Sequence, residues 1–381
     1  MVAFQRGQAT LCRGCGAALE AVVADLGLVP LSVDPVRAGA GLRPVACAPL
    51  RALVCRDCRL VQLGSIGIAP RDPPSQPPDG FAGVIAARLR LGPGTPVAAF
   101  DPGLLAPFRD RDIPASSVPT GVLTAIRLRE TRMPPVLLLA GPVMATVPDI
   151  GDVLAGVRTL LAPGGVAVFD IPDLLARLCG NRFDLLSHAL PCLPSLLVAE
   201  MLLGLHGLVP FEVEPVPGPG PWLRLLVRHA EDGTKPVAEA VLARRAEERA
   251  AGLEGDEAYR QAAVAVAEAR LAVLELLVAA RREGRLVAGF GAGPAAATLV
   301  AATGLGPDLL AFTVHPETGE AGLELPGSLI PVLPPAALDQ ALPDLLLVLD
   351  GTPPGQVRAS LAGPCAWQGR VAVPLPSLHL A

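Results

Sequence analysis

The sequence is poor in several of the side chains that most often bind large partners or do chemistry. Its 381 residues include one tyrosine, Tyr259, and one lysine, Lys235, and aromatic residues make up only 3% of the chain. So few flat rings leave little with which to stack bases, and a net charge of −5 offers no basic face for phosphates, which argues against nucleic acid as a partner. Any amine or phenol chemistry has a single candidate each. No stretch offers about twenty uninterrupted apolar residues, the length that a membrane span needs; the best candidate, Ser195 to Phe211, contains Glu200 and His206. The opening MVAFQRGQAT has no charged region followed by an apolar one, so the expected compartment is the cytoplasm. G-x-S-x-G and H-E-x-x-H are both missing, which removes two common hydrolase signatures.

Against this background two cysteine pairs stand out, Cys12-Arg-Gly-Cys15 and Cys55-Arg-Asp-Cys58. Each can set two thiolates on one ion from a tight turn, and together they complete a tetrahedral shell with no position left for water or substrate. Structural zinc is the expected ligand. Two disulfides would need an oxidising compartment, and a redox dithiol would follow a strand of a βαβ unit. Cys47, Cys179, Cys192 and Cys365 stand outside the pattern and are expected to be buried free thiols.

A chain of this length with 51% hydrophobic residues can build two or three domains. Residues 1–66 form the predicted zinc-binding module, ended by the apolar run LVQLGSIGI, and the proline-dense APRDPPSQPPD at 69–79 reads as a linker or loop. Residues 67–235 alternate strand-like runs, PVAAFD (96–101), VLLLAG (136–141), GVAVFDIP (165–172) and WLRLLVRHA (222–230), with segments of helical spacing. That alternation predicts a parallel sheet covered by helices. Residues 236–381 begin with Ala-, Arg- and Glu-rich text that fits two helices, the second over Glu257 to Glu283. They return to the α/β pattern at LVAGFGAG (286–293), LLAFTV (309–314), DLLLVLD (344–350) and GRVAVPLP (369–376). The fold class is therefore α/β, a small zinc module followed by two Rossmann-like doubly wound domains.

Three separated segments resemble one family, the three-domain S-adenosylmethionine-dependent C-methyltransferases that act on nucleotide-linked deoxysugars. CRGCG (12–16), ADLGLVPLS (24–32) and CRDCRLVQL (55–63) are similar to the zinc module of that family. The text from VPDIGDVLAG to LSHALPCLPS resembles the stretch leading to its catalytic motif, and GFGAGPAAATL resembles its glycine-rich C-terminal turn. The resemblance implies S-adenosylmethionine as cofactor, a nucleotide-linked sugar as the small-molecule substrate, and methyl transfer to a sugar carbon.

The departures are as informative as the matches. The family's Tyr-His-Glu-His run falls on Ser187, His188, Ala189 and Leu190, so His188 alone keeps its identity and is the one catalytic candidate. Removing a carbon-bound proton next to a carbonyl needs a base and donors for the enolate, and alanine and leucine offer neither. A polar residue satisfied by backbone at a helix end is the alternative for His188. The cofactor's glycine turn is reduced to Asp79 and Gly80, and Asp101 is expected at the end of the second strand, where an acidic residue holds ribose hydroxyls. An aspartate capping the turn after its strand is the alternative for Asp101. The His-Gly-Gly-Ser-Leu-Arg element appears as Pro219 to Arg224, family Asn and His positions fall on Pro142 and Thr146, and the lysine of the C-terminal turn falls on Ala295. Loss of chemistry with retention of a nucleotide-sugar or partner-binding scaffold is the competing expectation.

Overall fold

The computed structural model describes residues 11–31, 34–37, 45–64, 80–218, 220–317 and 322–381, so Asp79, Pro219 and the linker at 69–79 lie outside the described residues. The N-terminal part supplies β1 (Ala21–Pro30), β2 (Val36–Arg37), β3 (Cys47–Val54) and β4 (Val61–Leu63). The middle supplies α1 (Phe81–Leu89), β5 (Val97–Ala99), α2 (Ala106–Arg109), β6 (Ala115–Ser117), α3 (Val122–Thr131), β7 (Leu137–Gly141), α4 (Val143–Thr146), α5 (Ile150–Leu160), β8 (Val166–Pro172), α6 (Leu174–Cys179), β9 (Cys192–Leu193), α7 (Leu196–Gly204), β10 (Leu208–Val216) and β11 (Trp222–His229). Helices α8 (Glu239–Ala250) and α9 (Glu257–Arg282) then lead to β12 (Val287–Phe290), α10 (Pro294–Thr303), β13 (Thr313–Val314), β14 (Leu323–Glu324), β15 (Pro331–Leu333), α11 (Ala337–Ala341), β16 (Leu345–Val348), α12 (Pro354–Leu361), β17 (Arg370–Val373) and β18 (His379–Leu380).

The central sheet has the order β10-β11-β8-β7-β5-β6. Strands β5 to β8 run parallel, and β11 and β10 close one side antiparallel. Alternate residues go to opposite cores: Val97, Ala99, Leu137, Leu139, Val166 and Val168 to one, Ala98, Leu138, Ala140, Ala167 and Phe169 to the other. Both faces are thus apolar, which is why these strands read as unbroken hydrophobic runs. Helix α5 shows how the cover is made. Asp149 caps it by accepting from the Asp152 amide at 2.9 Å, Ile150, Val153, Leu154, Val157 and Leu160 form one buried stripe, and Pro163-Gly164 follows its end. The parallel-sheet expectation is corrected at one edge: WLRLLVRHA is antiparallel, paired with β10, whose Phe211-Glu212-Val213-Glu214 alternates apolar and acidic side chains.

The C-terminal sheet, β18-β17-β16-β12-β13-β15-β14-β2, is built the same way around parallel β12, β13, β15, β16 and β17. Its faces again divide, Val287, Leu345, Leu347 and Ala372 against Ala288, Phe290, Leu346, Val348 and Val371. Both sheets are doubly wound.

The third sheet, β1-β3-β4-β9, belongs to the N-terminal module. One of its faces packs with α9 and α10 in a shared core of Leu26, Leu50, Ala52, Val266, Val273, Leu277 and Leu299; Leu53, Cys55 and Leu60 join the core of the central sheet. Chain exchange ties the parts further. The fourth strand of the module, β9, comes from the middle of the chain, and β2 from the module extends the C-terminal sheet by pairing with β14.

Candidate metal centre and cofactor cleft

Two turns of the same construction carry the cysteines. In the first, the Cys12 amide donates to the Ala17 carbonyl at 2.7 Å and the Gly16 amide to the Cys12 carbonyl at 2.8 Å. In the second, the Cys55 amide donates to Leu60 and the Arg59 amide to Cys55, both at 3.0 Å. Each turn needs a left-handed residue after its second cysteine. Gly16 supplies it freely at φ 78°, and Arg59 adopts it at φ 63°. The side chain of Arg59 is held by the Glu254 carbonyl at 2.9 Å and by the Asp256 carboxylate.

All four sulfurs lie within 4.8 Å of one another, with Cys12 to Cys58 at 3.4 Å and Cys15 to Cys55 at 3.5 Å. Sulfurs about 2.3 Å from a tetrahedral zinc are about 3.8 Å apart, so the set fits the ion. Cys12 and Cys55 are buried and Cys15 is exposed. A hydrogen bond from Cys58, supported by amides of Cys15 and Gly14 and by Gln62, pulls the Cys12 thiol well below its ordinary value, and Cys58 rises in exchange. A thiolate is therefore favoured at the position a cation would neutralise. Of the other cysteines, Cys192 is buried, with burial pushing its thiol up to about 11, whereas Cys47 and Cys179 are exposed, contrary to expectation. Cys47 is the first residue of β3 and Cys179 ends a short helix.

The carboxyl ends of β5 and β7 form the crevice where the central sheet reverses direction of winding, the place ligands occupy in open α/β sheets. Asp101 stands there, but β5 is the first strand of the sheet in chain order, so Asp101 ends strand one rather than strand two. Its Oδ1 accepts from the Gly103 amide at 2.8 Å, capping the turn Pro102–Leu104. Gly80 is exposed and precedes α1. The next residue, Phe81, stacks on Arg224 at 4.1 Å, and Arg224 pairs with Asp170 at the carboxyl end of β8 through bonds of 2.8 and 3.1 Å. Gly80 and Asp101 therefore share one edge of the sheet, with β7 and β8 between them. Thr146 donates to the Pro142 carbonyl of its own helix.

The segment after α6 is a packed strap. Asp184 is buried and accepts from Arg182 Nε at 2.8 Å and Nη2 at 2.7 Å, while Arg182 also donates to the Asp350 carbonyl at 3.1 Å. Asn181 donates to the carbonyls of Ala265 and Pro376 at 2.9 and 3.2 Å. His188 is buried, its Nε2 3.3 Å from the Pro49 carbonyl on β3. A carbonyl only accepts, so Nε2 carries the proton and Nδ1 is the basic nitrogen. Burial holds the imidazole below its ordinary value and thus neutral at pH 7. Beside the strap a cavity of about 40 Å³, lined by Arg177, Asn181 and Arg182 among apolar side chains, has room for a few waters and no substrate.

The lone tyrosine and lysine are spent elsewhere. Tyr259, buried on α9, donates to the Leu253 carbonyl at 2.9 Å, and Lys235 holds Asp232 at 2.6 Å and the Gly164 carbonyl at 2.8 Å. In the C-terminal sheet, Gly291 (φ 114°) leaves no room for a side chain, since a Cβ would stand 2.8 Å from the Asp350 carboxylate. Two participants carry no local sequence signal that marks a function, Gln62 beside Cys12 and Arg182 beside Asp184. A glutamine inside the apolar strand LVQL is the one visible anomaly.

This architecture joins a four-cysteine module to two doubly wound α/β sheets. Residues 219–376 match a family model described as the C-methyltransferase C-terminal domain, and residues 12–67 match one described as a zinc binding domain. The chain is 33% identical to the C-methyltransferase NovU of Streptomyces niveus over 205 residues, 54% of this chain and 49% of that protein. It spans about half the length of the curated relative it matches. These matches make the chain similar to C-methyltransferases in two segments, a zinc-module segment at 12–67 and a C-terminal segment at 219–376. Among solved structures it is similar to the CcbJ methyltransferase from Streptomyces caelestis, at 13% identity, TM-score 0.29, covering 42% of this chain and 93% of that one. It is also similar to a Burkholderia thailandensis 1,6-didemethyltoxoflavin-N1-methyltransferase, at 16% identity, TM-score 0.29, covering 46% and 97%. Likenesses that weak bear on neither ligand nor reaction. No helix among the described residues is long and apolar enough to cross a membrane.

Proposed function

We propose that the protein is an S-adenosylmethionine-dependent methyltransferase acting on a small molecule of the nucleotide-linked sugar class, in the cytoplasm, with the cofactor at the carboxyl edge of the central sheet. What supports this reading is Asp101 at the carboxyl end of β5, beside the crevice between β5 and β7, with Gly80 ahead of α1, whose Phe81 stacks on Arg224 of β11. Asp79 belongs to the same proposed site by its position next to Gly80. The second carboxylate oxygen of Asp101 would accept from a hydroxyl, and the exposed turn at Gly80 would let backbone approach the ligand. S-adenosylmethionine supplies an electrophilic methyl group when bound. His188 would take the acceptor's proton on Nδ1, a neutral base whose other nitrogen is fixed by Pro49.

A second reading, a non-catalytic scaffold that binds a nucleotide-linked sugar or a partner enzyme, is favoured by the strap. The Asp184 carboxylate is paired with Arg182 and His188 is bound to backbone, while Ala189 and Leu190 stand where further acid–base groups would be needed. Gly291 to Gly293, ahead of α10, would then hold a nucleotide-sugar phosphate.

Calorimetric titration with S-adenosylmethionine separates the two. Micromolar binding supports methyl transfer, and no heat at millimolar ligand removes it. Once sugar methylation is detected, His188→Ala should abolish it; unchanged turnover would take that residue out of the mechanism.

A further inference from the structure

The centre has a second layer that the cysteine pattern does not announce. Gln62 is fully buried on β4, and its side-chain Nε2 donates to Cys12 Sγ at 3.1 Å. Its Oε1 accepts from the Arg13 amide at 3.0 Å and from Arg13 Nη1 at 3.3 Å. Both Arg13 groups are donors, so the oxygen must face them and the NH2 must face sulfur, which fixes the amide orientation. Arg13 Nη1 continues to the carbonyls of Leu63 at 3.0 Å and Pro191 at 3.3 Å, and the Leu63 amide also donates to Pro191 at 2.8 Å. Pro191 precedes β9, and the segment ending there contains His188.

Four thiolates around a divalent ion leave two net negative charges, and Cys12 and Cys55 sit where water cannot solvate them. An amide N–H on sulfur and a guanidinium one step behind it are the groups that compensate such charge. We propose that Gln62 and Arg13 are the outer shell of the zinc site, and that through them the ion holds residues 187–193 against the module. Arg13 carries the charge and spans the gap; Gln62 orients Cys12.

Chelator competition on the purified full chain tests the first part. Gln62→Ala and Arg13→Ala should each weaken zinc binding by about 10- to 100-fold. Arg13 is only partly buried, so its variant keeps the fold even if Gln62→Ala does not. With cobalt in place of zinc, both variants should shift the sulfur-to-metal charge-transfer bands, which mere loosening of the fold would not do. Amide exchange tests the second part: removing zinc from the wild-type chain should raise exchange at Leu63 and Cys192 before the β12–β17 sheet responds. Wild-type zinc affinity and cobalt bands in Arg13→Ala would overturn the outer shell, and unchanged exchange at Leu63 and Cys192 on chelation would overturn the link to 187–193.

Discussion

The cysteine cluster and the strap at 181–190 are both polar, both largely buried and both composed of residues aligned with motifs of the family, yet they differ in what their polar atoms are free to do. The thiols are brought together with only one another and a few donors as neighbours, so the arrangement has a place for a cation and little else to offer. In the strap most of the polar atoms are already used inside the protein: the Asp184 carboxylate by Arg182, Arg182 by the Asp350 carbonyl, and Nε2 of His188 by Pro49. A group satisfied by its own chain serves the fold; a group left with open coordination is poised for a ligand.

That contrast can be broken at either end. Cys55→Ser should have the largest effect, releasing the metal and melting the module, because structural zinc in zinc-finger peptides contributes about 10–16 kcal/mol of binding free energy to folding. Elemental analysis with calorimetric unfolding checks it, and a metal-free variant with wild-type stability would remove zinc from the fold. Arg182→Ala comes next, at about 3–5 kcal/mol at neutral pH, since it strands a buried carboxylate. Burial raises the Asp184 pKa despite Arg182, so the buried carboxyl itself favours folding below the ordinary carboxylate range and costs stability as pH rises through its raised value, a cost that Arg182 offsets only where the carboxylate is ionised. The deficit of Arg182→Ala measured by urea unfolding should therefore shrink between pH 7.5 and 5; a deficit independent of pH would mean that Asp184 is not its cause.

His188 carries the opposite sign and a smaller effect. Its pKa is lowered by burial, so its contribution is intact above the ordinary imidazole value of 6.5 and fades as pH falls below it. His188→Gln should flatten stability between pH 7 and 5, and an unaltered acid slope would show the imidazole to be solvated. Arg59→Gly should be nearly silent, within about 1 kcal/mol, because relief of left-handed strain offsets the lost ion pair with Asp256. Zinc content measured alongside should stay at the wild-type level; loss of metal would make the arginine part of the centre.

Much of the architecture was readable from local pattern. Buried parallel strands announce themselves as apolar runs, and the runs beginning at Pro96, Val136, Gly165, Leu286 and Asp344 all contain strands in the positions expected. The cysteine turns were readable because their chemistry lies within four residues. What escaped lies in long-range pairing. Strand β9 is two residues long and has no period, and β2 finds its partner across most of the chain. The rank of β5 in its sheet decided where Asp101 stands, and that rank depends on residues before it forming a helix rather than a strand. Arg13 and Arg182 look like any surface arginine in sequence; only the fold reveals that one reaches Pro191 and the other Asp350.

The interleaved strands have a consequence for how the chain can be made and cut. A ribosome delivers Cys58 long before β9 and longer still before β14, so the module can gather its metal early but must wait, with an unpaired sheet edge, for the strands that complete its neighbours. Severing the polypeptide after residue 66 would leave two fragments each with a vacant edge, able to recombine with one another or with copies of themselves. Each part of the chain therefore carries a sheet edge that only a distant part can pair.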